Sequence, residues 1–130
     1  MEEMNLIASA NVSSPIAEAF KTIRTSIQFS QIDGKPLKSI LVVSPTPNEG
    51  KSTVVANLAV VMAQSGKNVV VLDCDLRNPT QHKIWNLAKR GLTDCFATDA
   101  SLDDVMQETS VDNLWAVASG KGVINPSDLI

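Results

Sequence analysis

The stretch SPTPNEGKST, residues 44–53, decides the fold because it joins two apolar segments of different period. Ahead of it, residues 39–44 (SILVVS) form a short apolar run, which predicts a fully buried strand. After it, apolar residues at helical spacing predict a helix over residues 50–65. A second apolar run, residues 68–73 (NVVVLD), predicts another buried strand. Strand, helix and strand in this order indicate a βαβ unit with parallel strands and a right-handed crossover. The helix is expected to turn one face inward, formed by Val54, Val55, Leu58, Ala59 and Met62.

The loop between the first strand and the helix has the residues of a phosphate-binding loop. Gly50 allows the backbone to approach a phosphate closely, Lys51 can reach the β and γ phosphates, and the Ser52 hydroxyl can join the coordination of Mg²⁺. Pro45 stands where the GxxxxGKS pattern has its first glycine, and proline has no N–H to offer. The anion must therefore be held by later residues, and the predicted nucleotide-binding set is Asn48, Glu49, Gly50, Lys51, Ser52 and Thr53. A turn with a chance GKS is the alternative, which the strand and helix context disfavours.

A second chemical motif, VVVLDCDLRNP at residues 69–79, follows at the end of the second strand. Asp73 and Asp75 flank one cysteine, so both carboxylates project from the same side of an extended chain. Such a pair can hold Mg²⁺ directly or through water, and either member can accept a proton from an attacking hydroxyl. The alternative makes Asp75 a turn residue with Arg77 as its surface partner. The predicted catalytic residues are Lys51, Asp73 and Asp75, and the predicted metal ligands are Ser52 and Asp73.

The remainder of the chain continues the alternation of helix and strand. Ser14 and Pro15 begin a helix that runs to about Phe29. Its apolar stripe is expected to be Ile16, Phe20, Ile23 and Ile27. Weaker patterns predict a helix over residues 81–89 closed by Gly91, a helix over 101–107 opened by Ser101 and Asp104, a strand over 114–118, and a helix start at Asn125 and Pro126.

Composition excludes several classes of protein. The 130 residues fit one domain, and the net charge of −3 with a pI near 5.0 leaves no electrostatic footprint for nucleic acid. No apolar run reaches the length of a membrane span, and the acidic N-terminus is unlike a secretory signal. The two cysteines form neither a CxxC pair nor a metal-ligand cluster, which suits a reducing compartment. We therefore expect a cytoplasmic protein.

Three segments in the right order carry a family resemblance: SPIAEAFKTIRTSI, LVVSPTPNEGKSTVVANLA and VVVLDCDLRNP. Together they resemble the cytoplasmic domain of the bacterial protein-tyrosine kinases that control capsular and exopolysaccharide synthesis. The resemblance implies an α/β fold of the P-loop NTPase class, with a parallel sheet flanked by helices. It also implies ATP and Mg²⁺ as cofactors and transfer of the γ-phosphoryl group to protein tyrosines.

The resemblance implies partners as well. The family's first-helix motif, ExxRxxR, serves ring assembly between subunits, and here it reads Glu18, Lys21 and Arg24. The alternative for these residues is a solvated charge pair on the helix surface. An activating membrane protein with a cytoplasmic tail would be a further partner. Through it the protein would be peripherally associated with the membrane.

Two departures from the family pattern define the expected extent of the chain. Family members carry a further strand ending in DTPP and a tyrosine-rich tail, and neither is present among these 130 residues, which include no tyrosine. Residues 1–130 are therefore predicted to be the N-terminal part of a single P-loop kinase domain, truncated before that strand, and the activity of this chain alone stays open. A partition-type ATPase switch and a catalytically inactive nucleotide-binding module are the alternatives.

Overall fold

The computed structural model describes residues 15–43 and 50–120. Within these ranges the helices are α1 (Pro15–Phe29), α2 (Lys51–Gln64), α3 (Gln81–Ile84), α4 (Leu92–Ala97) and α5 (Leu102–Val105). The strands are β1 (Gln31–Ile32), β2 (Lys35–Pro36), β3 (Val69–Leu72), β4 (Gln107–Glu108) and β5 (Leu114–Val117). The helix start predicted at Asn125 and Pro126 lies outside the described residues, as do the loop positions Asn48 and Glu49. Across the described ranges, no helix combines the length and apolarity needed to cross a membrane.

A three-stranded sheet carries the site, in the order β3, β5, β4. Strands β3 and β5 are parallel, with Val69 opposite Leu114, and β4 pairs antiparallel with β5. The parallel pairing continues past β3, because the Asp73 N–H donates to the Val117 carbonyl at 3.0 Å. The predictions for residues 68–73 and 114–118 are therefore confirmed, whereas the two-residue β4 was not predicted.

The strand predicted over residues 68–73 is present as β3, but its predicted burial holds for one face only. Val71 is buried, but the neighbouring side chains Val70 and Leu72 are 42% and 46% exposed. Helix α2 packs against β3 and covers one face of it. Because successive side chains of a strand point to opposite faces, only the face that carries Val71 is covered by the described residues.

Helix α2 is at the centre of the core and contacts α1, β3, α3 and β5. The prediction of a helix here is confirmed, but its inner face was partly wrong, since Val54 is 41% exposed. Neighbours on two sides remove the single amphipathic stripe that a surface helix would show. Its buried residues are Ala56, Asn57, Ala59, Val60, Val61 and Ala63.

Helix α1 is also confirmed, with a correction to its apolar stripe. Ala17 is buried and Phe20 packs against the core, while Ile16 and Ile23 are 52% and 44% exposed. The helix is further attached by Arg24, whose Nη1 donates to the Val61 carbonyl at 2.9 Å. That carbonyl belongs to the last turn of α2, where no further helical N–H is available to it. The positive charge of Arg24 there also interacts favourably with the negative end of the helix dipole.

The strand predicted over residues 39–44 is absent from its described part, residues 39–43. The side chains of Ile40, Leu41 and Val43 are 47%, 83% and 73% exposed. An apolar run becomes a strand only when a neighbouring strand pairs with its N–H and C=O groups. The three-stranded sheet does not include this segment within the described residues, so the expected pairing of the βαβ unit was wrong for its first strand.

Several shorter elements depart from the sequence pattern. Residues 31–36 form a small hairpin of β1 and β2, with positive φ at Asp33 and Gly34 as in two-residue turns. The helix predicted over 81–89 ends at Ile84. The helix opened by Ser101 is confirmed, since the Ser101 N–H donates to Asp104 Oδ2 at 2.9 Å, but it ends at Val105 because Gln107 enters β4.

Gly91 begins a helix instead of ending one. Its N–H donates to Asp94 Oδ2 at 2.7 Å at the start of α4. Its backbone is extended and forms an isolated parallel bridge with Ala118, just beyond β5. A Cβ at this position would overlap the Ala118 carbonyl oxygen. Glycine is therefore required here by the close approach of two backbones.

We expect Gly91→Ala to lower the free energy of unfolding by at least about 3 kcal/mol, because the new methyl group must displace backbone. Gly34→Ala is the matched control: its φ of +77 strains alanine, but nothing lies within 4 Å, so its cost should be about 1 kcal/mol. Urea denaturation measures both. Equal losses would contradict the close packing of Gly91 on Ala118.

Candidate functional site

The described part of the predicted phosphate loop begins at Gly50. This residue has φ 81 and ψ 12, a left-handed conformation that glycine adopts without steric cost, and α2 starts at the next residue. The Gly50 carbonyl accepts the first intrahelical hydrogen bond, from the Val54 N–H at 2.9 Å. The N–H groups of the first turn have no partner within a helix, and the helix dipole adds partial positive charge there. The start of α2 therefore has the backbone features of an anion site.

Lys51 lies beside the acidic motif. Its Nζ is 3.6 Å from Asp75 Oδ2, and the two side chains are 33% and 37% exposed. An ion pair this accessible to water contributes about 1 kcal/mol at most. Asp75 Oδ1 also accepts the Asn78 N–H at 3.1 Å, while Arg77 is exposed. Asp75 is thus a turn residue, as the alternative held, but its cationic partner is the lysine of the loop.

Asp73 is buried at the end of β3, where it is 5% exposed. Its Oδ1 accepts the Asp75 N–H at 3.1 Å, and its Oδ2 accepts the N–H groups of Thr80 and Gln81 at 3.0 Å each. Three backbone donors thus converge on one carboxylate, and hydrogen bonds to a charged acceptor are the stronger kind. Asp73 fixes the path of the chain from the end of β3 to the start of α3.

The oxygen donors of the site suit Mg²⁺, which takes few protein ligands and fills the remaining positions with water and phosphate oxygens. Within residues 15–43 and 50–120, no three His, Cys, Asp or Glu side chains cluster as a metal site. A hydroxyl oxygen has two lone pairs, and among the described residues Ser52 Oγ shares one hydrogen bond, with Thr80 Oγ1. Asp73 Oδ1 accepts one N–H from the described residues, so with respect to them it has room for one more contact. Both predicted ligands therefore fit a magnesium ion held partly through water.

Cys74 stands between the two aspartates and its side chain is exposed. Partial burial of the sulfur, and then the neighbouring charge of Asp73, raise the pKa of the Cys74 thiol. A raised pKa keeps the sulfur protonated at neutral pH, and the protonated thiol is a poor nucleophile.

Two residues of the site were missed by sequence reasoning. Thr80 donates a hydrogen bond from Oγ1 to Ser52 Oγ, and Gln81 donates from Nε2 to the Ser52 carbonyl at 3.2 Å. The sequence offered one sign of their role, which is that a hydroxyl and an amide side chain directly follow the acidic motif. The contacts join residues 28 and 29 positions apart, which no local pattern reveals.

The predicted assembly residues lie on α1 and are not part of this site. Glu18 and Lys21 form an exposed ion pair at 3.4 Å, whereas Arg24 turns inward to the Val61 carbonyl. A cavity of about 190 Å³ lies elsewhere, at the start of β5. Since the predicted phosphate site is at the opposite, carboxyl ends of the parallel strands, this cavity is not part of it.

Comparison with known proteins identifies relatives along most of the chain. Residues 40–122 match the family model of the CobQ/CobB/MinD/ParA nucleotide binding domain. The tyrosine-protein kinase YwqD of Bacillus subtilis is 40% identical over 129 residues, which cover 98% of this chain and 54% of YwqD. The putative tyrosine-protein kinase CapB of Staphylococcus aureus is 39% identical over 118 residues, covering 90% of this chain and 51% of CapB. The chain thus spans about half the length of these two relatives.

Solved structures agree with these matches. The chimerical protein CapA2B2 superposes with a TM-score of 0.87 at 37% identity, over 98% of this chain and 57% of that one. The kinase domain of the Escherichia coli tyrosine kinase ETK also gives a TM-score of 0.87, at 28% identity, over 99% of this chain and 51% of that one. The predicted fold class is confirmed.

We expect Asp73→Asn to destabilise the protein by about 3 kcal/mol, since an amide cannot accept all three N–H groups that the carboxylate accepts. Asp75→Asn is the matched control and should cost less than about 1 kcal/mol, because its ion pair is exposed. Urea unfolding followed by circular dichroism measures both changes. A loss at position 73 no larger than that at 75 would show that the buried carboxylate does not hold the loop.

Proposed function

The chain belongs to the CobQ/CobB/MinD/ParA nucleotide binding domain family, and from that premise we propose that it is the nucleotide-binding part of a protein-tyrosine kinase. The predicted resemblance to the bacterial protein-tyrosine kinases is confirmed by relatives that bear that name. The proposed reaction transfers the γ-phosphoryl group of ATP to the hydroxyl of a tyrosine in a protein substrate. The proposed role is in capsule or exopolysaccharide synthesis.

One observation supports this proposal more than any other. Lys51, in the first turn of α2, reaches the acidic end of β3, and its partner Asp75 holds it only weakly. A nucleotide at the start of α2 would offer phosphate oxygens of higher charge than one carboxylate. Lys51 would then move from Asp75 to the phosphates, and Asp75 would lose its cation.

The released Asp75 would be a suitable base for the transfer. It is partly exposed, so a tyrosine side chain of a protein substrate can approach it. The tyrosine oxygen would form a bond to the γ-phosphorus while the bond from that phosphorus to the β–γ bridging oxygen breaks. The phenolic proton would pass to Asp75, and ADP would leave. Mg²⁺ held by Ser52, and by Asp73 directly or through water, would neutralise charge on the transferring group.

We expect Lys51→Met to weaken the binding of Mg·ADP at least tenfold, about 1.4 kcal/mol, because the methionine has no charge for the phosphates. Lys83→Met is the matched control, since Lys83 is exposed on α3, and it should bind as the wild type does. Isothermal titration calorimetry provides the affinities. Equal affinities for the three folded proteins would exclude a phosphate loop at Gly50 and Lys51.

The 130 residues include no tyrosine, so we expect no phosphotyrosine on this chain when it is incubated with labelled ATP and Mg²⁺. The complete gene product should label an added tyrosine peptide, and Asp75→Asn should slow that labelling about 100-fold, as loss of a general base does. Phosphoamino-acid analysis is the measurement. Hydrolysis of ATP without labelling would favour the ATPase switch, and binding without either reaction would favour an inactive nucleotide-binding module.

We propose that Glu18 and Lys21 contribute to self-association, because their charges are exposed on α1. In the full-length protein the proposed assembly is a ring of subunits. The gene product with both Glu18→Ala and Lys21→Ala should form smaller assemblies, seen as a lower particle mass in light scattering, without loss of thermal stability. Arg24→Ala should instead lower stability, since it removes the donor to the Val61 carbonyl. An unchanged mass for the double variant would favour the solvated charge pair.

The expected membrane activator, with its cytoplasmic tail, stays a prediction. So does the peripheral association with the membrane through that partner. Recovery of the tagged gene product in the membrane fraction of cells would support both, and recovery in the soluble fraction alone would contradict them.

A further inference from the structure

Thr80 has no part in the proposed chemistry, yet its hydroxyl makes a direct contact with the phosphate site. Thr80 stands immediately before α3, and its Oγ1 donates to Ser52 Oγ in the first turn of α2. Both residues are half-buried. The hydroxyl predicted to face a nucleotide-bound metal is therefore held by a second hydroxyl from a different part of the chain.

The local structure around Thr80 does not explain this contact. A threonine at the residue before a helix ordinarily directs its hydroxyl to the free N–H groups of the first turn. Thr80 makes no such side-chain cap in α3. The Lys83 N–H, which such a cap would serve, donates to the Thr80 carbonyl instead, at 3.0 Å, and Asp73 accepts the N–H groups of Thr80 and Gln81. The Thr80 hydroxyl is thereby left to contact Ser52.

Gln81 supports the same serine from another direction. Its Nε2 donates to the Ser52 carbonyl at 3.2 Å, and its Oε1 accepts the Trp85 Nε1–H at 2.9 Å. Gln81 is 4% exposed and both ends of its amide are occupied, so the side chain has little freedom to move. Ser52 is consequently held at its backbone by Gln81 and at its side chain by Thr80.

We propose that Thr80 is a positioning residue that orients the Ser52 hydroxyl toward the metal ion of a bound nucleotide. Whichever of the two hydroxyls donates, at least one lone pair of Ser52 Oγ stays available for a cation. Partners of this kind orient metal ligands in proteins, and their loss typically weakens metal binding 10–100-fold. The inference rests on the proposed function, since it assigns a role to Thr80 at the same nucleotide site.

The test separates metal-dependent binding from binding of the nucleotide itself. The affinity for ADP is measured by calorimetry in Mg²⁺ and in EDTA, for the wild type, Thr80→Val and Thr80→Ser. Valine keeps the volume of threonine and removes the hydroxyl, whereas serine keeps the hydroxyl. Thr22→Val is the control, because the Thr22 hydroxyl bonds to the Glu18 carbonyl on the exposed side of α1.

We expect Thr80→Val to bind ADP about tenfold more weakly than the wild type in Mg²⁺. In EDTA the two affinities should be equal. Thr80→Ser and Thr22→Val should match the wild type in both conditions. A purely structural role would instead weaken binding equally with and without the metal. If Thr80→Val fails to fold, Thr80→Ala replaces it. Alanine also removes the hydroxyl, but it places no methyl group against Ser52.

Two other results would overturn the inference in distinguishable ways. In the first, Mg²⁺ increases the affinity for ADP by the same factor in the wild type and in Thr80→Val. This would leave the proposed function intact and remove the role of Thr80. A wild type that binds no ADP in either condition would remove the nucleotide site, and the role of Thr80 with it.

Discussion

The buried carboxylate of Asp73 is the contact on which the site depends. It stands where β3 ends and accepts three backbone N–H groups, from Asp75, Thr80 and Gln81. Each of these bonds fixes part of the segment that returns toward the start of α2. Because an isolated buried charge would be very costly, the three donors and the carboxylate require one another. The path of residues 73–81 follows from that requirement.

The same arrangement places side chains of different kinds around the first turn of α2. Thr80 and Gln81 hold Ser52 through half-buried hydrogen bonds, while Asp75 pairs with Lys51 through a more exposed ion pair. Hydrogen bonds that are partly shielded from water are stronger than exposed ones, and an exposed ion pair is weakened by water. The serine is therefore held in place, whereas the lysine is held only weakly.

The described core also has two sides, one closely packed and one partly exposed. Helix α2 is packed between α1 and the sheet through small side chains such as Ala56, Ala59 and Ala63, which let the neighbouring elements approach closely. The other face of β3 carries Val70 and Leu72, which the described residues leave partly exposed. This chain spans about half the length of the two relatives YwqD and CapB.

The sequence by itself determined the parallel α/β class, the helix after the loop, and the candidates Lys51, Ser52, Asp73 and Asp75. These follow from local periodicity and from residue types whose chemistry is specific, so neighbouring residues suffice to predict them. Only the tertiary structure decided that Asp73 is a buried acceptor of three N–H groups, that Asp75 pairs with Lys51, and that Thr80 contacts Ser52. It also decided that residues 39–43 form no strand and that α2 is buried from two sides. These features depend on partners distant in the chain, and the spacing of residues along a sequence carries no information about such partners.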